Sequence, residues 1–200
     1  MLEALGIKLI TVLAGFLFET GLATADKIQI DNAPSWYYEA KNPDYIYVFS
    51  YKKGGIEKID PLKNDLEEKM VKKIDKIIET VIYENFKDVK GKAENRLIRE
   101  FKNDENLYLF VRSNIKIDRI KQRKAKEKGF IKGAEEAAVF GSAILPKKKL
   151  INYQKKRVGK LREEIEMTKA DKSFDKLNSE FEESDTEKEL EAEIPEFWFR

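Results

Sequence analysis

The spacing of apolar side chains predicts a strand followed by a long helix in the first half of the chain. Residues 44–52 place aromatic side chains at every second position, which is the period of a strand, and Gly54-Gly55 ends it. Asp60-Pro61 then opens a helix, because aspartate is a favoured N-cap and proline fits the first helical turn. Apolar positions recur at helical spacing to about Lys87, and we expect them to pack on the aromatic face of the strand: Leu66, Met70, Ile74, Ile77, Val81 and Phe86.

The second half of the chain predicts another helix, two strands and a final long helix. A short helix follows Gly91, residues 107–118 have the composition of a strand, and residues 119–133 are basic and turn-like. The segment 134–145 fits a helix by its Ala and Glu content or a strand by its Val-Phe and Ile-Leu pairs, and we favour a strand in its second half. The final helix spans residues 147–183.

These elements predict a single α+β domain over residues 26–183. Its order is β-α-α-β-β-α, with a small antiparallel sheet of about three strands and two to three helices packed on one face. Residues 184–200 are expected to form an acidic disordered tail with an aromatic tip.

The N-terminal segment, residues 1–25, has the layout of a secretory signal peptide. The run 9–18 is uncharged and too short to span a bilayer, and Ala23-Thr24-Ala25 is a small-x-small cleavage motif. Cleavage near Ala25 would place the mature chain, without a transmembrane span, in the periplasm or at the outer membrane. The weak positive charge ahead of the run, where Glu3 opposes Lys8, leaves two alternatives: a helix packed on the protein's own core, or an uncleaved anchor.

Composition excludes several kinds of site. The chain has no Cys and no His, which rules out disulfides, His/Cys metal sites and the Ser-His-Asp and Cys-His arrangements of nucleophilic enzymes. Charged residues make up 38% of the chain, but the formal net charge is only +2, so we expect no global attraction to nucleic acid or membrane. The heavy use of Lys and Glu is thermophile-like, although an AT-rich genome gives a similar bias.

Four short motifs occur in a recognisable order: Pro34-Ser35-Trp36-Tyr37, the aromatic strand 45–51 ending at Gly54, Leu145-Pro146-Lys147, and Asp171-Lys172-Ser173-Phe174-Asp175-Lys176-Leu177. Over residues 33–180 this order resembles the twenty-kilodalton outer-membrane lipoprotein family of bacteria, whose relatives include flagellar outer-ring and basal-disc proteins. The resemblance implies an envelope-associated, non-catalytic protein that often assembles with copies of itself. This chain lacks the lipobox cysteine of the family, so no acyl anchor is expected.

Two segments are strongly basic. Residues 116–132 hold eight basic residues against Asp118 and Glu127, and residues 147–160 hold seven with no acidic residue. They are either solvated surface or a contact surface for an anionic lipid or glycan; nucleic acid is a weaker fit, because Phe130 is the one aromatic of the first segment. The candidate polyanion contacts are Lys121, Arg123, Lys124, Lys126, Lys128, Lys147, Lys148, Lys149, Lys155, Lys156 and Arg157.

Two aromatic groups are candidate interfaces. Trp36, Tyr37 and Tyr38 either contact a partner or cap the core beside the aromatic strand. The second group, at the tip of the acidic tail, consists of Phe197, Trp198 and Phe199. Full burial of a large apolar side chain stabilises by about 1.5–3 kcal/mol, so this tip either enters a pocket of a partner or neighbouring copy, or folds back onto its own core.

Catalytic patterns are weak. The Ser-x-x-Lys expression of acylating serine enzymes occurs at Ser113 and at Ser173, but a lysine-rich chain produces such matches by chance. We predict no cofactor and no metal. The sequence therefore predicts an exported, non-catalytic, envelope-associated structural or assembly protein. The alternative is an exported binding module that holds an anionic envelope polymer or lipid headgroups through residues 116–132 and 147–160.

Overall fold

The computed structural model describes residues 1–19, 30–127 and 136–192. A 3-10 turn at Ile56–Lys58 precedes the second helix. In chain order the elements are α1 (Leu2–Glu19), β1 (Ile30–Asp31), β2 (Tyr45–Lys53), α2 (Ile59–Asn85), α3 (Lys92–Lys102), α4 (Leu107–Asn114), β3 (Lys116–Glu127), β4 (Glu136–Pro146) and α5 (Lys147–Ala192).

An antiparallel sheet in the order β1-β3-β4-β2 forms the centre of the fold, which confirms the predicted α+β class. β2 pairs with one side of β4 and β3 with the other, so that Tyr47 and Lys121 lie opposite Ile144 and Phe140 respectively. β1 adds two residue pairs at the end of β3. The register shifts at Asp118, which is a bulge residue without a partner on β4.

The helices cover one face of the sheet. The main hydrophobic core lies between this face and the helices. Side chains at even positions of β2 and odd positions of β4 contact the buried side of α2 there. Gly141 allows the close approach, because a Cβ there would lie 2.9 Å from Leu62 Cδ2 and 3.0 Å from Leu66 Cδ1. The buried stripe of α2 holds every predicted position except Phe86, which is buried directly after the helix ends: Leu62, Leu66, Met70, Ile74, Ile77, Ile78 and Val81.

Helix α1 packs into the same core. Leu9, Leu13 and Leu17 are fully buried at four-residue spacing, and α1 lies against α2, α3 and α5. The structure thus shows the arrangement of the first alternative, a helix packed on the protein's own core. Cleavage near Ala25 stays a prediction, since residues 20–29 lie outside the described residues. Among the described helices, none has the length and hydropathy needed to cross a membrane.

The opposite face of the sheet carries a second apolar cluster, which corrects one prediction. We expected the aromatic face of β2 to pack on α2, but Ile46 and Val48 face the helices, whereas Tyr47 and Phe49 face away from them. Residues 30–38 cover these rings. Both faces of β2 are apolar, so its period predicts a strand without indicating which face meets the helices.

Residues 107–114 form helix α4 and not the predicted strand. The Asp104 carboxylate accepts a hydrogen bond from Asn106 N at 3.2 Å, and its carbonyl accepts one from Leu107 N at 3.1 Å, which begins the helix. Leu107 and Val111 are then buried one turn apart. The cause of the error is that a short apolar run fits either element.

Three further segments differ from the sequence predictions or complete them. The basic segment predicted as turn-like is strand β3 as far as Glu127. The ambiguous segment is strand from Glu136 to Pro146. Helix α5 continues to Ala192, so residues 184–192 are helical where we predicted disorder. Lys128 and the aromatic tip, Phe197, Trp198 and Phe199, lie outside the described residues.

Candidate interaction surfaces

The aromatic cluster (Trp36, Tyr37, Tyr38, Phe49 and Phe140) lies on the sheet face away from the helices. The Tyr37 ring makes edge contacts with Phe49 and Phe140 at centroid distances of 5.7 and 5.1 Å. Tyr38 has a φ of 80°, which costs about 1–3 kcal/mol in a non-glycine residue, and its ring packs 4.4 Å from that of Tyr37. Of the predicted interface residues, Tyr37 is therefore a core residue, while Trp36 and Tyr38 are half-buried.

A row of cations, the basic row (Arg119, Lys121 and Arg123), runs along β3 beside this cluster. The three side chains lie opposite even-numbered residues of β4, so they share the face of the aromatic cluster, and all are exposed. The Arg119 guanidinium lies 5.8 Å from the centroid of the Trp36 ring. Alternate strand positions place these charges about 7 Å apart in a line. Lys124, which was predicted with them, lies on the opposite face of β3.

The predicted cations of residues 147–160 lie on helix α5, where some are buried and others exposed. Lys147 is 2% exposed, its Nζ lies 5.4 Å from the Phe18 ring centroid, and burial lowers the pKa of its amine. Arg157 is held in an internal network, so neither side chain is available to a polyanion. The remaining four are exposed in the helix layer: Lys148, Lys149, Lys155 and Lys156. The structure thus places the exposed lysines of α5 and the basic row on opposite sides of the sheet.

The network around Arg157 joins α3, α4 and α5. Asp104, whose side chain is 1% exposed, accepts hydrogen bonds from Tyr153 Oη at 2.8 Å and Gln154 Nε2 at 3.1 Å, and its Oδ1 lies 3.4 Å from Arg157 Nε. Burial and the bond to Asp104 raise the pKa of the Tyr153 hydroxyl, which keeps it a donor. The guanidinium also donates to carbonyls at the end of α3 that would otherwise lack partners, those of Glu100, Phe101 and Asn103.

Sequence reasoning missed this network entirely. In the sequence, Asp104 lies in a polar run, residues 103–106, and Arg157 lies in a run of cations. Nothing in the spacing of the chain indicates that two residues more than fifty positions apart form an ion pair. The network is a structural link between three helices and takes no part in a candidate binding site.

Two lysines of α2 cover the outer edge of β2. Gly54 N donates to Ala137 O at 2.7 Å, so even positions of β2 bond to β4 and odd positions turn their carbonyls outward. Lys73 Nζ donates to Tyr47 O at 2.8 Å and Lys69 Nζ donates to Phe49 O at 3.3 Å. Burial and the nearby charge of Lys147 lower the pKa of Lys73 to about 8.

Asp65 of α2 makes polar contacts with the same edge strand, β2. It accepts a short hydrogen bond from Ser50 Oγ and lies 3.1 Å from Lys52 Nζ and 3.5 Å from Lys69 Nζ. Burial alone would raise the pKa of this carboxyl, but the hydrogen bonds from Ser50 and Lys52 and the charge of Lys69 hold it below its ordinary value. Ser50 is buried, so these contacts hold the inner part of the edge against α2.

The C-terminal part of α5, the projecting segment (residues 166–192), extends beyond the body of the protein. Ile165 is buried, and from Glu166 to Lys176 every side chain except the half-buried Thr168 is exposed. Met167 and Phe174 are 60% and 65% exposed. A helix of this length extends about 40 Å. In the sequence, apolar residues recur along it at spacings of 3, 4, 3 and 4: Met167, Ala170, Phe174, Leu177 and Phe181.

The helix layer leaves β3 uncovered. Ile117 and Ile120 lie opposite Ala143 and Gly141, so they face the helix side of the sheet, yet each is 37% exposed. We call this surface, with Lys124 on the same side, the uncovered β3 face. In the described part of the chain, no strand pairs with the outer edge of residues 116–125.

Comparison with protein-family models, curated proteins and solved structures found no match to this chain. Within the described ranges, no group of three or more acidic side chains is arranged to hold a metal ion.

Proposed function

We propose that this protein is a non-catalytic structural protein of the bacterial cell envelope that acts by assembling with copies of itself. The observation that carries the proposal is the projecting segment, which exposes Met167 and Phe174 on a stretch of helix, residues 166–176, where every side chain but Thr168 is exposed. Full burial of a large apolar side chain stabilises by about 1.5–3 kcal/mol, so these residues favour contact with another protein surface. The motif order that resembles a self-assembling envelope family supports the same conclusion.

Two hydroxyls support the non-catalytic part of this proposal. Ser113 Oγ donates to Leu109 O at 2.8 Å and Ser173 Oγ donates to Lys169 O at 2.9 Å. Each hydroxyl is thus bonded to the backbone of its own helix. The two Ser-x-x-Lys matches are consistent with chance.

The proposed location is the periplasm or the outer membrane, reached through residues 1–25. Burial of Leu9, Leu13 and Leu17 gives the same segment a role in the fold, and the two roles predict different mature N-termini. N-terminal sequencing of protein from the envelope fraction distinguishes them, because cleavage gives Asp26 and retention gives Met1. Intact protein found only in the cytosol would contradict the proposed location.

Assembly is tested by light scattering coupled to size-exclusion chromatography of the full chain over a dilution series. Contacts made by apolar burial persist or strengthen at high ionic strength, so we expect oligomers in both low and high salt. A strict monomer in both conditions would contradict the proposed function.

The basic row favours a second candidate function, the binding of an anionic envelope polymer. With heparin as the probe glycan, we expect an affinity that falls steeply with salt and drops at least tenfold in the triple variant R119Q/K121Q/R123Q. The matched control K148Q/K155Q/K156Q removes three exposed lysines from the helix layer and should bind nearly as well as the wild type. Equal losses in both variants would indicate non-specific attraction.

A further inference from the structure

The uncovered β3 face is a vacant position in the helix layer. α2 already packs on β2 and β4, and its apolar stripe fills the same side of the sheet. Beside it, Ile117 and Ile120 lie exposed on that side, and no helix of the described chain packs closely on β3. The face therefore fits one more helix with an apolar stripe.

The projecting segment is such a helix without a sheet to cover. Its exposed Met167 and Phe174 are two turns apart on one side, and the sequence continues the stripe through Leu177 and Phe181. Its length of about 40 Å equals that of the twelve-residue strand β3. The two surfaces therefore match in length and in apolar character.

Charge complementarity favours the same pairing. Residues 180–192 of α5 carry seven carboxylates and one lysine in the sequence. Lys124 lies on the uncovered β3 face, and four further basic residues project from the other face of the same strand, so that β3 holds five basic residues against Asp118 between positions 116 and 125. Two copies of the acidic segment laid side by side would repel each other, whereas the acidic helix attracts the basic strand.

The helix cannot reach the β3 face of its own chain. α5 runs without a break from Lys147 to Ala192, and its first half is held against α1 and α3. Returning to β3 would require a turn inside the helix. A projecting segment that covers this face therefore belongs to a second copy of the chain.

We propose that the projecting segment of one copy docks on the uncovered β3 face of the next copy, in a head-to-tail contact. This inference rests on the proposed self-assembly and names the two surfaces that make it. Because each copy offers one helix and one face, the contact is heterologous and builds an open chain or a ring.

Complementation between two variants tests the contact. The helix variant M167S/F174S keeps its β3 face, and the face variant I117S/I120S keeps its helix. Each should be a monomer alone by light scattering, and an equimolar mixture should form a one-to-one heterodimer. Circular dichroism and melting curves verify that both variants fold, and Y83S, which removes an exposed aromatic residue of α2, should assemble like the wild type.

The other outcomes each have a definite meaning. If the wild type assembles and the face variant assembles equally well, the helices pair with each other or with another surface, and the docking proposal is wrong while the proposed function stands. Assembly of the helix variant overturns the docking proposal in the same way. A wild-type protein that stays monomeric at every concentration contradicts the docking and the proposed function together.

Discussion

At the scale of single residues, Lys156 and Arg157 are neighbours in a basic run, yet their environments differ completely. Lys156 is exposed, whereas the Arg157 guanidinium bonds to the buried Asp104 and to carbonyls of α3. A buried ion pair contributes little net stability when complete, but removal of one partner leaves an uncompensated charge. The residues of this network are therefore sensitive to substitution in a way that the exposed cations are not.

We predict that Asp104→Ala lowers the free energy of unfolding by about 3–5 kcal/mol, because it leaves the Arg157 charge without its carboxylate. Denaturant unfolding of the variant and the wild type measures the change. Glu105→Ala, which removes the exposed neighbouring carboxylate, should change stability by less than about 0.5 kcal/mol. A small effect at Asp104 would show that the network is not essential to the helix layer.

Lys73 predicts a pH dependence. Its pKa of about 8 in the fold lies below its ordinary value of 10.5, so the unfolded chain binds more protons between these two pH values. Stability contributed through Lys73 therefore rises as the pH increases from about 8 to about 10.5. We expect the unfolding free energy of the wild type to gain on that of Lys73→Met across this window.

The measurement for Lys73 is chemical denaturation at a series of pH values, with the difference between the two proteins as the readout. Lys76→Met, at an exposed position on the same helix, corrects for the general effect of removing a lysine charge. If the unfolding free energy of the wild type falls relative to that of Lys73→Met as the pH rises, the assigned environment of Lys73 is wrong.

At the scale of elements, close packing of α2 on β4 depends on a position without a side chain. A methyl group at Gly141 would push against two buried leucines, whereas one at Gly159 of α5 meets no atom within 4 Å. We therefore expect opposite signs: Gly141→Ala should destabilise by about 1–3 kcal/mol through overpacking, and Gly159→Ala should stabilise by about 0.5–1 kcal/mol. Thermal unfolding of the two variants compares them directly, and a shared sign would contradict the packing described.

Helix α1 gives another test at this scale. In the full chain, Leu13→Ala should destabilise by about 2–5 kcal/mol, because the side chain is fully buried between helices. Ile7→Ala, at a position 60% exposed on the same helix, should change stability by less than about 0.5 kcal/mol. Equal small effects would indicate that α1 is not part of the folded core.

The sequence predicted those elements whose period is strong and whose ends are marked. β2 and α2 belong to this group, because alternation and a helical stripe are each sustained. The predicted N-cap, Asp60, was wrong by two positions, since the helix begins at Ile59 with Lys58 as N-cap and Asp60 and Pro61 lie in its first turn. β3 was missed because basic side chains occupy both of its faces, which hides the alternation of a strand. The prediction placed Tyr47 and Phe49 on the wrong side of the sheet, because Ile46 and Val48 are equally apolar.

The candidate surfaces were predictable only in part. An aromatic group near residue 36 and a basic group in 116–132 were visible as composition, and the structure brings Trp36 and Arg119 together. The burial of Lys147 and the exposure of Phe174 depend on where α1 and the body of the protein end in space. No local pattern carries that information.

At the scale of the whole molecule, the protein consists of a packed body and a helix that leaves it after Ile165. A helix without tertiary contacts opens easily, because few buried contacts resist local unfolding. We predict that trypsin cuts first at Lys169, Lys172 and Lys176, before the exposed Lys72 and Lys76 of α2. Mass spectrometry of early fragments measures the order, and protection of these sites at high protein concentration would accompany docking. Early cutting in α2 would contradict this division of the molecule.

The lysines along the border of β2 have a consequence for aggregation. Fibrils of stacked strands require each molecule to accept a new strand on two sides, and on the β2 side Lys69 and Lys73 already occupy the outward carbonyls of Phe49 and Tyr47. In the described chain, residues 116–125 of β3 have no strand on their outer edge, so strand addition is favoured there over β2. The two amines therefore disfavour amyloid-like growth through β2.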